Sequence, residues 1–80
     1  MGKRPEDNEE FISYLTRVIG QRYHIHTAGN GEEALKSLEN LKPDIVISDV
    51  MMPVMDGIEL CKRIKSDINL SHIPVILLTA

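Results

Sequence analysis

The sequence predicts an α/β domain in which helices alternate with the strands of a parallel sheet. The spacing of the apolar residues changes repeatedly between a helical period and short β-branched runs, in the order α-β-α-β-α-β. Strands that alternate with helices imply right-handed crossovers onto one sheet. With 80 residues, 42% of them apolar, the chain has the size and composition of one small globular domain.

The first predicted helix is followed by a strand of alternating residues. Asn8 can cap the helix and Gly20 can end it. Its apolar residues recur at helical spacing: Phe11, Leu15, Val18 and Ile19. Residues 23–27 then alternate, which is typical of a half-buried or edge strand. His24 and His26 share one face of it. A metal pair is one interpretation, but with no third ligand nearby, solvated side chains on an edge strand are favoured.

The second predicted helix starts with a capping box, because Glu33 follows Asn30 by three residues. Its buried stripe is predicted to consist of Ala34, Leu35, Leu38 and Leu41. Pro43 ends the helix, since proline cannot continue it and disfavours helical geometry at Lys42. Residues 44–49 form a β-branched run that is typical of a strand buried on both faces.

The third predicted helix follows a loop at residues 50–57. Asp56 is expected to cap it, with Glu59 at the third helical position, rather than to bind a ligand. Its predicted buried residues are Ile58, Cys61, Ile64 and Ile68. On this stripe Cys61 is a small core residue rather than a nucleophile. Residues 73–79 read as another buried strand, with Pro74 near its start, where a missing N–H does least harm.

Charge and composition exclude several classes of function. The net charge of −3 argues against nucleic-acid contact and against an anionic membrane surface. The single cysteine excludes an internal disulfide and any multi-cysteine metal site, and it fits a reducing compartment. No apolar run reaches the roughly 18–20 residues that a membrane span needs. We therefore expect a cytoplasmic domain, or a piece of one.

Polar residues mark one edge of the predicted sheet as the place for chemistry. In open parallel sheets, ligands bind outside the carboxyl ends of the strands, where Asp49 and Thr79 each end an apolar run. Glu6 and Asp7 precede the first helix, and carboxylates that converge there would need a hard cation such as Mg²⁺ between them. The alternatives are a turn residue for Asp49, helix-end solvation for Glu6 and Asp7, and an ordinary strand residue for Thr79.

Four segments together resemble the receiver domains of two-component response regulators. The stretch from Asp49 to Gly57, Asp-Val-Met-Met-Pro-Val-Met-Asp-Gly, is similar to the family's phosphorylation-site loop. Glu6-Asp7-Asn8 resembles its acidic pair, residues 28–35 the entry into its second helix, and residues 73–80 its fourth strand. The resemblance runs from Glu6 to Ala80. The sequences of residues 48–57 and 71–80 are also similar to those of receivers in hybrid sensor histidine kinases.

The resemblance implies a phosphoacceptor domain that is not itself an enzyme. Asp49 would accept a phosphoryl group from a histidine kinase and relay it to an output domain or protein. Asp7 and Asp49 would bind Mg²⁺ directly, Glu6 would act through water, and the backbone carbonyl of Met51 would supply a further ligand. Thr79 would contact a phosphoryl oxygen and act as a switch.

The implied fold is a flavodoxin-like, doubly wound parallel sheet of order 2-1-3-4-5, which this chain would build incompletely. Residues 1–5, which are charged and end in proline, resemble a tag or leader rather than the family's first strand. Everything after the fourth strand is also missing, including the family's lysine and switch aromatic. Without the first strand we expect a gap in the middle of the sheet. Two explanations of these missing elements are considered. The sequence is part of a longer receiver, or the chain folds as a homodimer by strand exchange with a second copy.

Three other functions compete with this interpretation. Some Mg²⁺-dependent phosphohydrolases also use an aspartate at the end of a strand, but they carry a second aspartate two residues later. This chain has Met51 at that position, which argues against a phosphohydrolase. An NTPase is rejected because the glycine loop at residues 29–31 lacks the lysine and hydroxyl that cradle phosphates. The third function, a truncated or degenerate receiver that only binds partners, stays open.

The loop after the second predicted strand contains three methionines, Met51, Met52 and Met55. For these residues, packing within the loop is favoured over a groove that binds a partner.

Overall fold

The computed structural model describes residues 8–79, which form three helices and three strands. The elements follow in chain order: α1 (Asn8–Ile19), β1 (Ile25–Ala28), α2 (Gly31–Asn40), β2 (Ile45–Asp49), α3 (Gly57–Ser66) and β3 (Val75–Leu78). This is the predicted alternation, and the predicted α/β class with a parallel sheet is confirmed. No helix in this part of the chain is both long enough and apolar enough to cross a bilayer.

The three strands form one parallel sheet of order β1-β2-β3. Ile25 pairs with Ile45 at the start of the first ladder, and Asp49 pairs with Leu78 at the end of the second. The expected gap between the first two of these strands was wrong, because β1 and β2 bond directly along their whole shared length. Direct pairing satisfies backbone groups that a gap would leave without partners. A homodimer by strand exchange remains a prediction that no longer has this gap as its reason.

Helices α2 and α3 contact each other and share a core with one face of the sheet. Both crossovers run in the same direction along the sheet, so right-handed connections bring both helices to the same side. The buried cluster consists of Ala34, Leu38, Val46, Leu60, Ile64, Leu70 and Ile73. The central strand β2 therefore has the most protected side chains of the domain, with Val46, Ile47 and Ser48 fully buried.

The predicted caps of α2 and α3 are confirmed, and the predicted buried stripes of these two helices need correction. The side chains of Asn30 and Asp56 accept hydrogen bonds from the third residue of their helices, at 2.9 Å in both cases. In α3, the core contains Leu60, which was not predicted to be buried and which lies four residues before Ile64 on the same face of the helix. The predicted stripe members that are exposed instead of buried are Leu41, Ile58 and Ile68. Leu41 and Ile68 lie beyond the ends of α2 and α3, where the helical spacing no longer applies.

Helix α1 lies against β1 and keeps one apolar side exposed. Ile12, Leu15 and Ile19 are half-buried, whereas Phe11 and Val18, which the helical spacing also selected, are exposed. The rings of Phe11 and Tyr14 stack with their centroids 6.5 Å apart. The helix ends at Ile19 as predicted, and the Gly20 N–H donates to the Thr16 carbonyl at 2.8 Å.

Candidate functional site

The structure brings Asp49 and Thr79 to the same edge of the sheet. Asp49 is the last residue of the central strand β2 and is half-buried. Its register partner is Leu78, and Thr79 follows directly as an exposed residue. The Val50 N–H donates to the Leu78 carbonyl at 3.0 Å, which extends the ladder by one bond past Asp49. Because parallel strands end at one edge, both predicted residues lie at its carboxyl end.

The start of α3 is packed against the backbone of Asp49. The Gly57 N–H donates to the Val50 carbonyl at 2.9 Å. A Cβ placed on Gly57 would lie 2.3 Å from the Asp49 carbonyl oxygen, and 3.0 Å from both the Leu77 Cδ2 and the Ser48 Oγ. Only a residue without a side chain permits this approach. The loop that carries the predicted phosphorylation-site sequence is thus held at both ends.

A buried hydroxyl fixes the turn that follows β2. Ser48 is fully buried, and its Oγ donates to the Asp49 carbonyl oxygen at 2.8 Å. The same Oγ lies 3.4 Å from the Met52 Sδ. A buried hydroxyl without a partner would destabilise the fold, so these contacts explain how the core accommodates a polar residue beside Asp49. Sequence reasoning did not single out Ser48, and the only available signal was a polar residue within an apolar run.

The loop is tied to α2 through a strained turn. The Met55 N–H donates to the Pro53 carbonyl at 2.7 Å across Val54, whose φ of 70° is uncommon for a β-branched residue. The Met55 carbonyl in turn accepts the Gly31 N–H at 2.9 Å. Strain of this kind persists only where the surroundings hold the backbone in place. The α2 N-terminus therefore supports the loop that leaves Asp49.

The three methionines of the loop divide into two environments. Met52 and Met55 are half-buried and pack against the hydrophobic core, which supports packing within the loop for these two residues. Met51 is 79% exposed. Among the backbone hydrogen bonds of residues 8–79, none ends on the Met51 carbonyl oxygen.

The donors at this edge fit a hard cation. Asp49 offers a carboxylate and Met51 a carbonyl oxygen, and oxygen donors of these two kinds are the ones that Mg²⁺ takes in proteins. The other two predicted ligands, Glu6 and Asp7, lie outside the described residues. Within residues 8–79, no three His, Cys, Asp or Glu side chains are grouped so that they could hold a metal ion.

The histidines and the cysteine lie away from this edge. His24 directly precedes β1 and is exposed, whereas His26 lies within β1 and is half-buried, and burial lowers the pKa of the His26 imidazole. Both are near the amino end of β1, opposite the end where Asp49 ends its strand. Strand β1 is an edge strand of the described sheet, as predicted. Cys61 is half-buried on α3.

Comparison with known proteins identifies relatives over almost the whole chain. The family described as response regulator receiver domain matches residues 6–80. Histidine kinase P4 of Formosa agariphila is 45% identical over 75 residues, which are 94% of this chain and 6% of that protein. The alkaline phosphatase synthesis transcriptional regulatory protein PhoP of Bacillus subtilis is 43% identical over 76 residues, 92% of this chain and 31% of that protein. The chain thus spans a third or less of these curated relatives.

Solved structures show the same fold. The signal receiver domain of a signal transduction histidine kinase from Syntrophus aciditrophicus superposes with a TM-score of 0.73 at 41% identity, covering 88% of this chain and 54% of that one. The N-terminal domain of a response regulator receiver protein from Methanoculleus marisnigri gives a TM-score of 0.67 at 39% identity, covering 92% of this chain and 58% of that one.

Proposed function

Because the chain belongs to the response regulator receiver domain family of two-component signalling, we propose that Asp49 accepts a phosphoryl group from a histidine kinase. The observation that carries this proposal is the position of Asp49, at the carboxyl end of the central strand with its backbone held by Ser48 and by the start of α3. Receiver domains are signalling modules rather than enzymes in their own right. The donor kinase and the output domain or protein that reads the phosphorylated state are the proposed partners.

The proposed transfer needs positioning more than covalent assistance. A carboxylate oxygen of Asp49 attacks the phosphorus of the kinase's phosphohistidine. The P–N bond breaks as a P–O bond forms, and the products are an aspartyl phosphate and a histidine that keeps the electron pair of the broken bond. A fixed Asp49 backbone limits the directions in which the carboxylate can point, which favours in-line attack.

We propose that Mg²⁺ is held by Asp49, Asp7 and the Met51 carbonyl, with Glu6 acting through water. When bound, the ion neutralises charge on the phosphoryl oxygens. Asp49 is half-buried at a sheet edge and Met51 is exposed beside it, which supports a site at the surface of the domain. Thr79, directly after the neighbouring strand β3, is the proposed hydroxyl donor to a phosphoryl oxygen. We place the proposed reaction in the cytoplasm, a reducing compartment that the single cysteine of the chain fits.

The proposal is tested by incubating the chain with acetyl phosphate and Mg²⁺ and measuring intact mass. We expect the gain of one phosphoryl group, its loss in hydroxylamine, and no gain in Asp49→Asn. Asp67→Asn is the matched control, because Asp67 is exposed after α3 and an amide oxygen can still accept the Asn69 N–H that Asp67 accepts at 2.8 Å.

Two results would contradict the proposal. Phosphorylation that persists in Asp49→Asn would assign the acceptor to another residue. A folded wild-type chain that gains no phosphoryl group would favour the alternative function, a receiver that only binds partners. Light scattering after size-exclusion chromatography would test the predicted homodimer in the same samples, since strand exchange requires twice the monomer mass.

A further inference from the structure

A groove lies at the end of the sheet opposite Asp49. It has a volume of about 350 Å³ and is lined on one side by His24, Ile25 and His26. The segment that follows α2 forms the other side, with Leu41, Lys42 and Pro43. The groove therefore lies between the start of an edge strand and the end of a helix, and it shares no residue with the site around Asp49.

The two histidines line the same groove: His24 directly precedes β1, and His26 is the second residue of that strand. Cα atoms two residues apart in an extended chain are about 6.5 Å from each other. His24 is fixed by its backbone: its N–H donates to the Asp44 Oδ2 at 2.8 Å, and its carbonyl accepts the Asp44 N–H at 2.8 Å. His26 is fixed by its ladder position opposite Val46. Two imidazoles on a rigid backbone lose little freedom when they share a ligand.

The chemistry of the groove suits a metal ion that prefers nitrogen. Two of its lining side chains, His24 and His26, are imidazoles, and each imidazole has a ring nitrogen that can bind a metal ion. The last turn of α2 contains no basic side chain, so the partial negative charge at its carbonyl end is not neutralised within the helix. Imidazole is a preferred ligand of Zn²⁺, Ni²⁺ and Cu²⁺ and a poor one for Mg²⁺.

We propose that His24 and His26 together bind a divalent transition-metal ion of the zinc and nickel class. No third His, Cys, Asp or Glu joins them within residues 8–79, so water fills the remaining positions and the affinity is that of a two-histidine chelate. Lys42 lines the same groove, and its ammonium group repels the ion. The site does not depend on the proposed phosphorylation, because it uses nitrogen donors at the other end of the sheet.

Zinc titration followed by calorimetry and by NMR of the histidine rings tests this site. We expect His24→Ala and His26→Ala each to weaken Zn²⁺ binding by about tenfold or more, because a chelate becomes a single ligand. His72→Ala is the matched control, since His72 is exposed in a different loop, and it should leave the affinity unchanged. Lys42→Gln should strengthen binding. His26→Gln replaces His26→Ala if the smaller side chain impairs folding.

Independence from the acidic edge is tested in the same experiment. Zinc binding should persist in Asp49→Asn and in a large excess of Mg²⁺. The proposal is overturned if His72→Ala weakens binding as much as the other two substitutions, if neither His24→Ala nor His26→Ala changes it, or if Mg²⁺ displaces the zinc. None of these outcomes would bear on whether Asp49 accepts phosphate.

Discussion

Gly57→Ala provides the sharpest test of how the loop is built. Alanine is a better helix former than glycine by roughly 1 kcal/mol, and Gly57 is the first residue of α3. Helix propensity alone therefore predicts a more stable protein. The tertiary structure predicts the reverse, because the new methyl group would meet the Asp49 carbonyl oxygen.

The size of the conflict follows from the distance. Ordinary van der Waals contact begins at 3.4 Å, and the added Cβ would lie 2.3 Å from that oxygen, so about 1.1 Å of movement is needed. The oxygen belongs to the backbone and accepts the buried Ser48 hydroxyl, so it cannot move alone. Overpacking of this kind costs about 1–3 kcal/mol, which outweighs the gain in propensity in most of that range. After subtraction of the propensity gain, we expect a net loss of up to roughly 2 kcal/mol.

Urea unfolding followed by circular dichroism measures this loss. For a small domain, the unfolding free energy falls by about 1 kcal/mol per molar urea, so the midpoint should fall by up to roughly 2 M. Gly29→Ala is the matched control: nothing lies within 4 Å of its added Cβ, and we expect a stability equal to the wild type or slightly higher. The reasoning is refuted if Gly57→Ala is as stable as Gly29→Ala. Slower phosphorylation of Gly57→Ala would further link this contact to Asp49.

Three further predictions use the same unfolding assay. Ile64→Ala should cost about 2–5 kcal/mol because Ile64 is fully buried. Ile68→Ala should change stability by less than about 0.5 kcal/mol because Ile68 is 89% exposed, and equal losses would contradict the corrected helix stripe. Asp56→Ala should cost about 1 kcal/mol through loss of the bond to the Glu59 N–H, while Asp56→Asn should retain most of the stability; if Asp56→Asn loses as much, the cap is not the cause. Burial lowers the pKa of His26 below 6.5, so the folded state binds fewer protons than the unfolded state. The contribution of His26 to the free energy of unfolding should be constant above pH 6.5 and be lost as the pH falls through the lowered pKa. His26→Gln should therefore reduce the dependence of stability on pH in this range. An unchanged dependence would assign it to other titrating groups.

Local rules succeeded where the interacting residues are close in the chain. Asn30 and Asp56 cap their helices through residues three positions away, as predicted. The central strand was also close to prediction, since residues 44–49 became β2 at Ile45–Asp49, whereas the other two strands each begin two residues later than predicted. Helical spacing failed at Leu41 and Ile68, because it cannot state where a helix ends and the chain leaves the core.

Contacts between distant segments were beyond sequence reasoning. The pairing of β1 with β2 contradicted the expected gap, because strand order depends on which edges find hydrogen-bond partners in three dimensions. The close approach of Gly57 to Asp49 and of Gly31 to Met55 has no local signature beyond a glycine. The burial of Ser48 likewise depends on the helices that cover the central strand.

The sequence alone determined the alternation of helices and strands and the helix caps Asn30 and Asp56. It also determined that Asp49 and Thr79 follow apolar runs at the ends of strands. Periodicity and short-range hydrogen bonding act between residues that are close in the chain, so these features can be predicted locally. Only the tertiary structure decided that Asp49 ends the central strand with Leu78 and Thr79 beside it, and that a buried hydroxyl and a glycine hold its backbone. These arrangements arise from packing and ladder register between segments far apart in the chain, where steric fit and hydrogen-bond pairing select one geometry.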